Sequence, residues 1–421
     1  MNLNLLYSTN KQNHPLESIA LNELREKAYL ALDQSGMPSK KEEAWKFTSL
    51  NDFKSIDWAL PESEIFLSHD QMVFVSKSLP SDFYNIVFVN GILNKTLSDS
   101  DIQIEKIDLQ PKDFHLNSND VDYKLVHLSR SLSSVKYIMN FKKDQVVDKP
   151  VQIVHIVTGD KSYLVQPILD INAEENCDVK IIFQRLSVRS HTEIQQALNM
   201  DVQVRLDANA KMKFTHIDNS DIHDFNFSRI KYYLEQSSKL VALDIALGSQ
   251  VSRHYTEIAF KAESAEAGIY GLNLLANDQH CDHYTFIHHI KGSNQSIQHY
   301  KSILTEKSRS VFRGRVRIEQ DAQKANSEQL NNNLLISPTA SADSIPQLEI
   351  YADDVKAGHG STVGQLNKDE IFYFLSRGIS QRQAVQMLSH GYAKELVYKL
   401  ENEQIENFIF EIMNTKLEEM F

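Results

Sequence analysis

The chain has 421 residues, 44 Lys+Arg against 56 Asp+Glu, a formal net charge of −12, and two cysteines. Cys177 and Cys281 supply neither a disulfide framework nor the four thiolates an iron–sulfur cluster usually takes. The acidic balance excludes a general nucleic-acid binder, which needs a basic surface, and apolar runs of four or five residues fall well short of the about 20 a membrane span requires.

Residues 1–14 lack the charged-then-apolar layout of a secretory signal, so a cytoplasmic protein is expected. Leu16, Ile19, Ala20, Leu24, Ala28 and Leu32 recur at helical spacing, with Pro15 near the start and Gly36 just past the end. Residues 64–110 change character. Short apolar runs, MVFV at 72–75 and IVFV at 86–89, separated by turn residues, predict strands.

From about 120 to 337 the pattern is almost purely strand-like, with every second residue apolar in DVQVRL (201–206) and KMKFTHI (211–217). Short Ala/Ser/Asn/Glu-rich corners start at 171, 206, 234, 260 and 304, at spacings of 35, 28, 26 and 44. This loose repeat fits a solenoid of stacked β-coils, and an antiparallel sandwich with short turns fits it too. Helix returns in the last 55 residues. Asn367 is placed to cap one helix, Ser380 and Gln383 form a capping box for a second with Ala384, Met387, Leu388 and Tyr392 on one face, and a third covers roughly 402–420. Terminal helices of this kind would cover the end coils of a solenoid.

Three constellations could carry chemistry. HCDHYTFIHH (280–289) in a strand puts Cys281, His283 and His289 on one face and His280, Asp282 and His288 on the other. These are transition-metal donors, but residues two apart lie about 6–7 Å apart and need a partner loop to close one site; the plain alternative is a polar strand face. In YADDVKAGHGSTVGQL (351–366), Gly358, Gly360 and Gly364 surround His359 without matching any nucleotide loop, and an ordinary turn with a solvated histidine fits as well. Arg313, Arg315 and Arg317 share a strand face that fits an anion, another chain's carboxylates, or a charged outer wall. Asn331, Asn332 and Asn333 suit side-chain ladders at a coil corner. Neither a nucleophile elbow nor a phosphate-cradling loop is found, so the chain reads as a scaffold and not an enzyme.

Four segments carry a family likeness: LEIYADDVKAGHGSTVGQLNKDEIFYFLSRGIS (348–380), VFRGRVRIEQDAQKANSEQLNNNLLIS (311–337), the D-x-x-T-x-x-x-H string at Asp282, Thr285 and His289, and GMPSKKEEAWKFTSL (36–50). Over about 36–400 the chain resembles the SufB/SufD family of iron–sulfur cluster assembly proteins, and looks more like the SufD branch. The resemblance implies a mainly β fold: a right-handed parallel β-helix core over 111–345, an N-terminal helical segment with a few strands over 1–110, and a C-terminal helical domain over 346–421. It implies a non-catalytic subunit that pairs with a SufB-like protein and docks a SufC-like ABC ATPase, which supplies the Walker loop absent here. Sulfur would come from a cysteine desulfurase and its carrier. A transient cluster would form at the shared interface, with reduced flavin in the complex and no group tightly held by this chain alone. A homodimer is compatible with the isolated chain; nucleic acid and membrane are not expected as partners.

Residue by residue, His359, followed by Gly360, matches the family histidine at that interface. Ala357 stands where many SufD relatives have a cysteine, and Asn331 near where SufB relatives carry one, so no thiolate is expected from either place. Arg377, Gly378 and Ser380 are the expected ATPase-docking surface. The alternative is a stand-alone metal-binding β-helix using Cys281, His283 and His289.

Overall fold

The computed structural model describes residues 1–13, 19–61, 67–110, 113, 124–133, 135–188 and 193–421; Pro15 and Leu16 of the first helical stripe lie outside them. The chain is mainly β, with helices at both ends. It opens on helices α1 (Leu3–Asn13), α2 (Ile19–Ser35), α3 (Asn51–Ser55) and α4 (His69–Lys77). Strands β1 (Tyr84–Val89), β2 (Ile92–Leu93) and β3 (Ile104–Asp108) follow, then helix α5 (Leu125–Leu132). The solenoid continues through β4 (Val135–Phe141), β5 (Val151–Val157), β6 (Leu164–Val165), β7 (Ile168–Ala173), β8 (Asp178–Ser187), β9 (Ala197–Leu206) and β10 (Lys211–Asn219). Then come β11 (Phe225–Leu234), β12 (Lys239–Ala246), β13 (Val251–Phe260), β14 (Glu266–Leu275) and β15 (His280–His289). The last strands are β16 (Gln295–Leu304), β17 (Arg309–Ile318), β18 (Asn326–Leu335), β19 (Ser341–Ile350) and β20 (Lys356–Gly364). Helices α6 (Lys368–Ser376), α7 (Gln381–Val397) and α8 (Glu403–Met420) close the chain. The strands thus run past residue 345, where the sequence reading ended the core, to Gly364.

Successive strands alternate between two ten-stranded sheets. Within the first, Lys211 pairs with Lys239, Lys239 with Glu266, Glu266 with Gln295, Gln295 with Asn326 and Asn326 with Lys356, all parallel, in steps of 28, 27, 29, 31 and 30 residues. That spacing decides for the solenoid over the antiparallel sandwich, since parallel neighbours need a crossover and here each crossover is a strand of the other sheet. A left-handed residue turns one corner of each coil, and Ser249, Asn277 and Glu306 turn the opposite corner of three of them. Asp144, Asn176, Asn209, Ser237, Ser264, Ser293 and Lys324, one per coil, all have φ between 56° and 62°. The amides of Asp144, Asn176, Asn209, Ser237, Ser293 and Lys324 bond to the next coil, as Asn176 N does to Ala208 O and Asn209 N to Gln236 O. Asn and Asp tolerate this conformation because their short polar side chains bond locally: Asn176 Nδ2 donates to Asp144 Oδ1 and Asn209 Nδ2 to Asn176 Oδ1.

Alternation then sorts the side chains. One set points into the solenoid and forms its core, including Ile181, Phe214, Ala242, Ile258, Ile269 and Phe312. A file of rings runs through this interior, Phe88–His155–Phe183–His216–His254–His283–Tyr300–Phe312, with successive centroids 4.6–5.7 Å apart. The other set points out and is covered by helices. Trp45, Phe53, Trp58 and Leu128 pack on Phe225, Phe227, Tyr255 and Tyr284 of one sheet. On the other sheet, Leu396, Ile405, Ile409 and Met413 pack on Leu243, Leu272 and Ile303.

Several expectations change here. MVFV (72–75) is helical, in α4, because Ser68 and Gln71 form a capping box ahead of it. Only Val75 of the four is buried, and β1 takes IVFV as expected. The buried face of α7 is Ala384, Ser389, Ala393, Leu396 and Val397, with Met387 outward. The helices α7 and α8 flank a sheet and do not cover the last coil. The first coil is closed differently, by the antiparallel strands β2 and β3. Asn332 does ladder, with His299 and Thr362, but mid-strand and not at a corner. No helix among the described residues is long and apolar enough to cross a membrane.

Candidate functional site: the open end of the solenoid

Strands β19 and β20 terminate the two sheets, so each presents an unpaired backbone edge. His359 lies on β20 in register with Gln329 of β18, which is in register with Gln298 of β16. Gln298 and Gln329 are buried inward-facing residues, and Gln298 Oε1 accepts from Thr285 Oγ1 at 2.6 Å. Both polar atoms of the Gln329 amide are buried without a partner. His359 therefore continues an inward column, but it is exposed because no coil follows it. The glycines around it are not a turn. Gly358, Gly360 and Gly364 belong to a paired strand, and none has a positive φ. A Cβ at Gly358 or Gly364 would meet nothing within 4 Å, and one at Gly360 would meet only Leu330 Cδ2 at 3.1 Å. They leave a flat edge that another backbone can approach closely. Exposed apolar residues surround it: Leu330, Ile350, Tyr351 and Val363.

The next segment is also uncovered. Helix α6, capped by Asn367, buries none of its residues and leaves Phe372 71% exposed. Arg377 stacks on Tyr373 at 5.2 Å, Gly378 takes φ +79° at the helix end, and Ser380 caps α7 with Gln383. These three residues thus shape the α6–α7 turn next to that apolar helix.

The 280–289 cluster is β15, and it splits as alternation predicts. Cys281, His283 and His289 face inward with the core residue Ile287; Asp282 and Tyr284 face the N-terminal helices. Cys281 Sγ and His283 Nε2 are 3.4 Å apart, whereas His289 bonds Ser296 Oγ and stacks on Phe260. His289 is therefore not brought to the other two. Burial lowers His283 to about 4 and His289 to about 3, and pushes the Cys281 thiol well above its usual range. Cys177 is raised by burial too, so among the described residues neither thiol is a ready thiolate. On the outer face, Arg253 pairs with Asp282 and lies over the Trp45 ring at 3.9 Å, and Thr48 bonds Asp282, which anchors the 43–48 segment. Arg313 donates to Glu43 O, Arg315 pairs with Glu349 and Arg317 with Glu319, so this arginine face is satisfied within the chain.

Sequence reasoning missed His216, Asp244 and His254, whose donor atoms lie within 4.8 Å of one another. They come from three strands, and only the coil register brings them together. The signal was the spacing of 28 between His216 and Asp244 and of 29 between His254 and His283, each a register pair.

Residues 133–392 match the family model described as "SUF system FeS cluster assembly, SufBD core domain", and 2–105 match "SufBD protein N-terminal region". The chain is 28% identical to the iron–sulfur cluster assembly protein SufD of Escherichia coli, over 91% of this chain and 90% of the relative. It is 28% identical to a SufBD family protein of Synechocystis, over 90% and 87%. It is 23% identical to the chloroplastic protein ABCI7 of Arabidopsis thaliana, over 93% and 85%.

Proposed function

Because the chain belongs to the SufBD family of iron–sulfur cluster assembly proteins, we propose that it is the SufD-like, non-catalytic subunit of an assembly complex, and that its open end coil is where a SufB-like solenoid joins it. The observation that carries this reading is the open coil: a helix-flanked solenoid with two unpaired strand edges, glycines along one of them and His359 at its mouth. A second solenoid pairing there would satisfy the edges and bury Leu330, Tyr351 and Val363. The transient cluster is cargo at that junction. The partner brings the thiolates, and His359 acts as a neutral nitrogen ligand or proton carrier. The uncovered α6 with the turn at Arg377, Gly378 and Ser380 receives a SufC-like ABC ATPase. The sulfur comes from a cysteine desulfurase and its carrier, and reduced flavin belongs to the complex.

The test is co-purification of the tagged chain from its own cells, with and without His359→Ala, together with cluster maturation in those cells. The wild type should recover an ABC ATPase and a second β-solenoid protein. The variant should keep both partners and lose maturation, because an exposed strand-edge side chain contributes little packing. Normal maturation in the variant removes His359 from the site, and recovery of neither partner refutes the complex.

A further inference from the structure

The solenoid interior holds a polar cluster that the reading above leaves unused. His216 on β10 and Asp244 on β12 come from one sheet, His254 on β13 and His283 on β15 from the other, and all are buried. His216 Nδ1 lies 3.0 Å from Asp244 Oδ1, and Nδ1 of His254 and of His283 lie 3.6 and 3.8 Å from Asp244 Oδ2. Four buried atoms here have no hydrogen-bond partner: His216 Nε2, Asp244 Oδ2, His254 Nε2 and His283 Nδ1. A buried polar atom without a partner is destabilising, so four in one cluster need a reason.

The surrounding bonds say which nitrogens are available. Asn273 Nδ2 donates to Ser302 Oγ and Ser310 Oγ, which turns the amide carbonyl toward His283 Nε2 at 2.7 Å. That carbonyl takes an N–H at Nε2, leaving a lone pair on Nδ1, on the Asp244 side. Ser228 Oγ engages His254 Nδ1 at 2.9 Å and leaves its Nε2 bare. Outer hydrogen bonds that fix ring orientation and tautomer are how metal-ligating histidines are held.

We propose that His216, Asp244 and His254, with His283 as an adjacent fourth donor, bind one divalent first-row transition-metal ion inside the solenoid. Imidazoles with one carboxylate suit iron(II), cobalt(II) or zinc(II). Donors around a tetrahedral ion at bond lengths of about 2.0–2.1 Å stand about 3.3 Å apart. The three donors already lie within 4.8 Å of each other, which small side-chain rotations close. The ion would tie the two sheets together across the interior. The proposal does not depend on the partner complex or on His359.

The probe is cobalt(II), added to the full-length chain after chelator treatment and, separately, present during refolding, at neutral pH. The wild type and His359→Ala should each bind one ion, with the visible absorption of a four-coordinate site and a raised Tm. Asp244→Asn, nearly isosteric, should bind more than about tenfold more weakly with unchanged circular dichroism. His254→Gln replaces it if that variant does not fold. No stoichiometric binding by the wild type on either route overturns the proposal, as does full binding by whichever variant folds. If neither folds, the wild-type ion count after gel filtration decides: one supports it, none overturns it.

Discussion

Tyr300 shows how closely single side chains are fitted in the interior. Its ring lies 4.7 Å from Phe312 and 5.0 Å from His283, over the backbone of Gly271 on the neighbouring strand. A Cβ at Gly271 would sit 2.1 Å from the Tyr300 ring, so this glycine is required by close approach and not by φ. Gly271→Ala should therefore destabilise the chain by about 1–3 kcal/mol through overpacking. Pairing it with Tyr300→Leu should recover much of the loss. Urea denaturation of the single and double variants measures both, and an unchanged single-variant midpoint would contradict the packing described. At the same scale His359 is the opposite case, exposed and unpacked, so its substitution should leave folding unchanged.

The coil is the next unit, and the left-handed corner residue defines it. An L-residue with a Cβ loses about 1–2 kcal/mol in this conformation unless its side chain compensates. Asn209→Ala should cost about that much, and Asn209→Gly less, although both lose the bond to Asn176. Equal losses for the two variants in thermal unfolding would show that the ladder, and not the backbone angle, holds the corner. These corners also explain what was legible in the sequence. Alternation in β9 and β10 and the corners near Asn209 and Ser237 were visible because polar corner residues interrupt a strict apolar period. The spacing of 44 between 260 and 304 passes over the corner at Ser293, between β15 and β16, and lands on the opposite corner at Glu306, between β16 and β17, so two kinds of corner were read as one series. MVFV misled because apolar content was read ahead of the Ser68–Gln71 capping box, the same signal that located α7 correctly. Motif order brought the end coil and His359 into view. The His216–Asp244–His254 cluster stayed hidden, since its members are linked by register across two sheets and by no local pattern.

Over the whole molecule, histidines sealed inside the solenoid couple folding to pH. His155 is stacked between Phe88 and Phe183; burial foremost, then the charges of Arg185 and His216, lower it to about 3. His289, against Phe260 and Ser296, is lowered to about 3 by burial and by His288. In the unfolded chain both titrate near 6.5. Between about pH 6.5 and 3 the unfolded state thus binds more protons than the native one. Stability falls as pH falls through that window, by up to about 1.4 kcal/mol per pH unit for each histidine. Asp201 works lower down. Burial would raise its carboxyl, but Arg229 and Arg130 hold it at about 2, so its contribution is present above pH 4 and is lost only below that. The urea midpoint should therefore be flat from pH 8 to about 7 and drop steadily from about 6 to 4, before the carboxylates titrate. His155→Phe, which suits a slot between two phenylalanine rings, should remove about one proton's worth of that slope and leave the midpoint at pH 8 little changed. A wild-type midpoint that stays level down to pH 4.5 would mean that these histidines are protonated in the native solenoid, and that water reaches an interior the packing shows as closed.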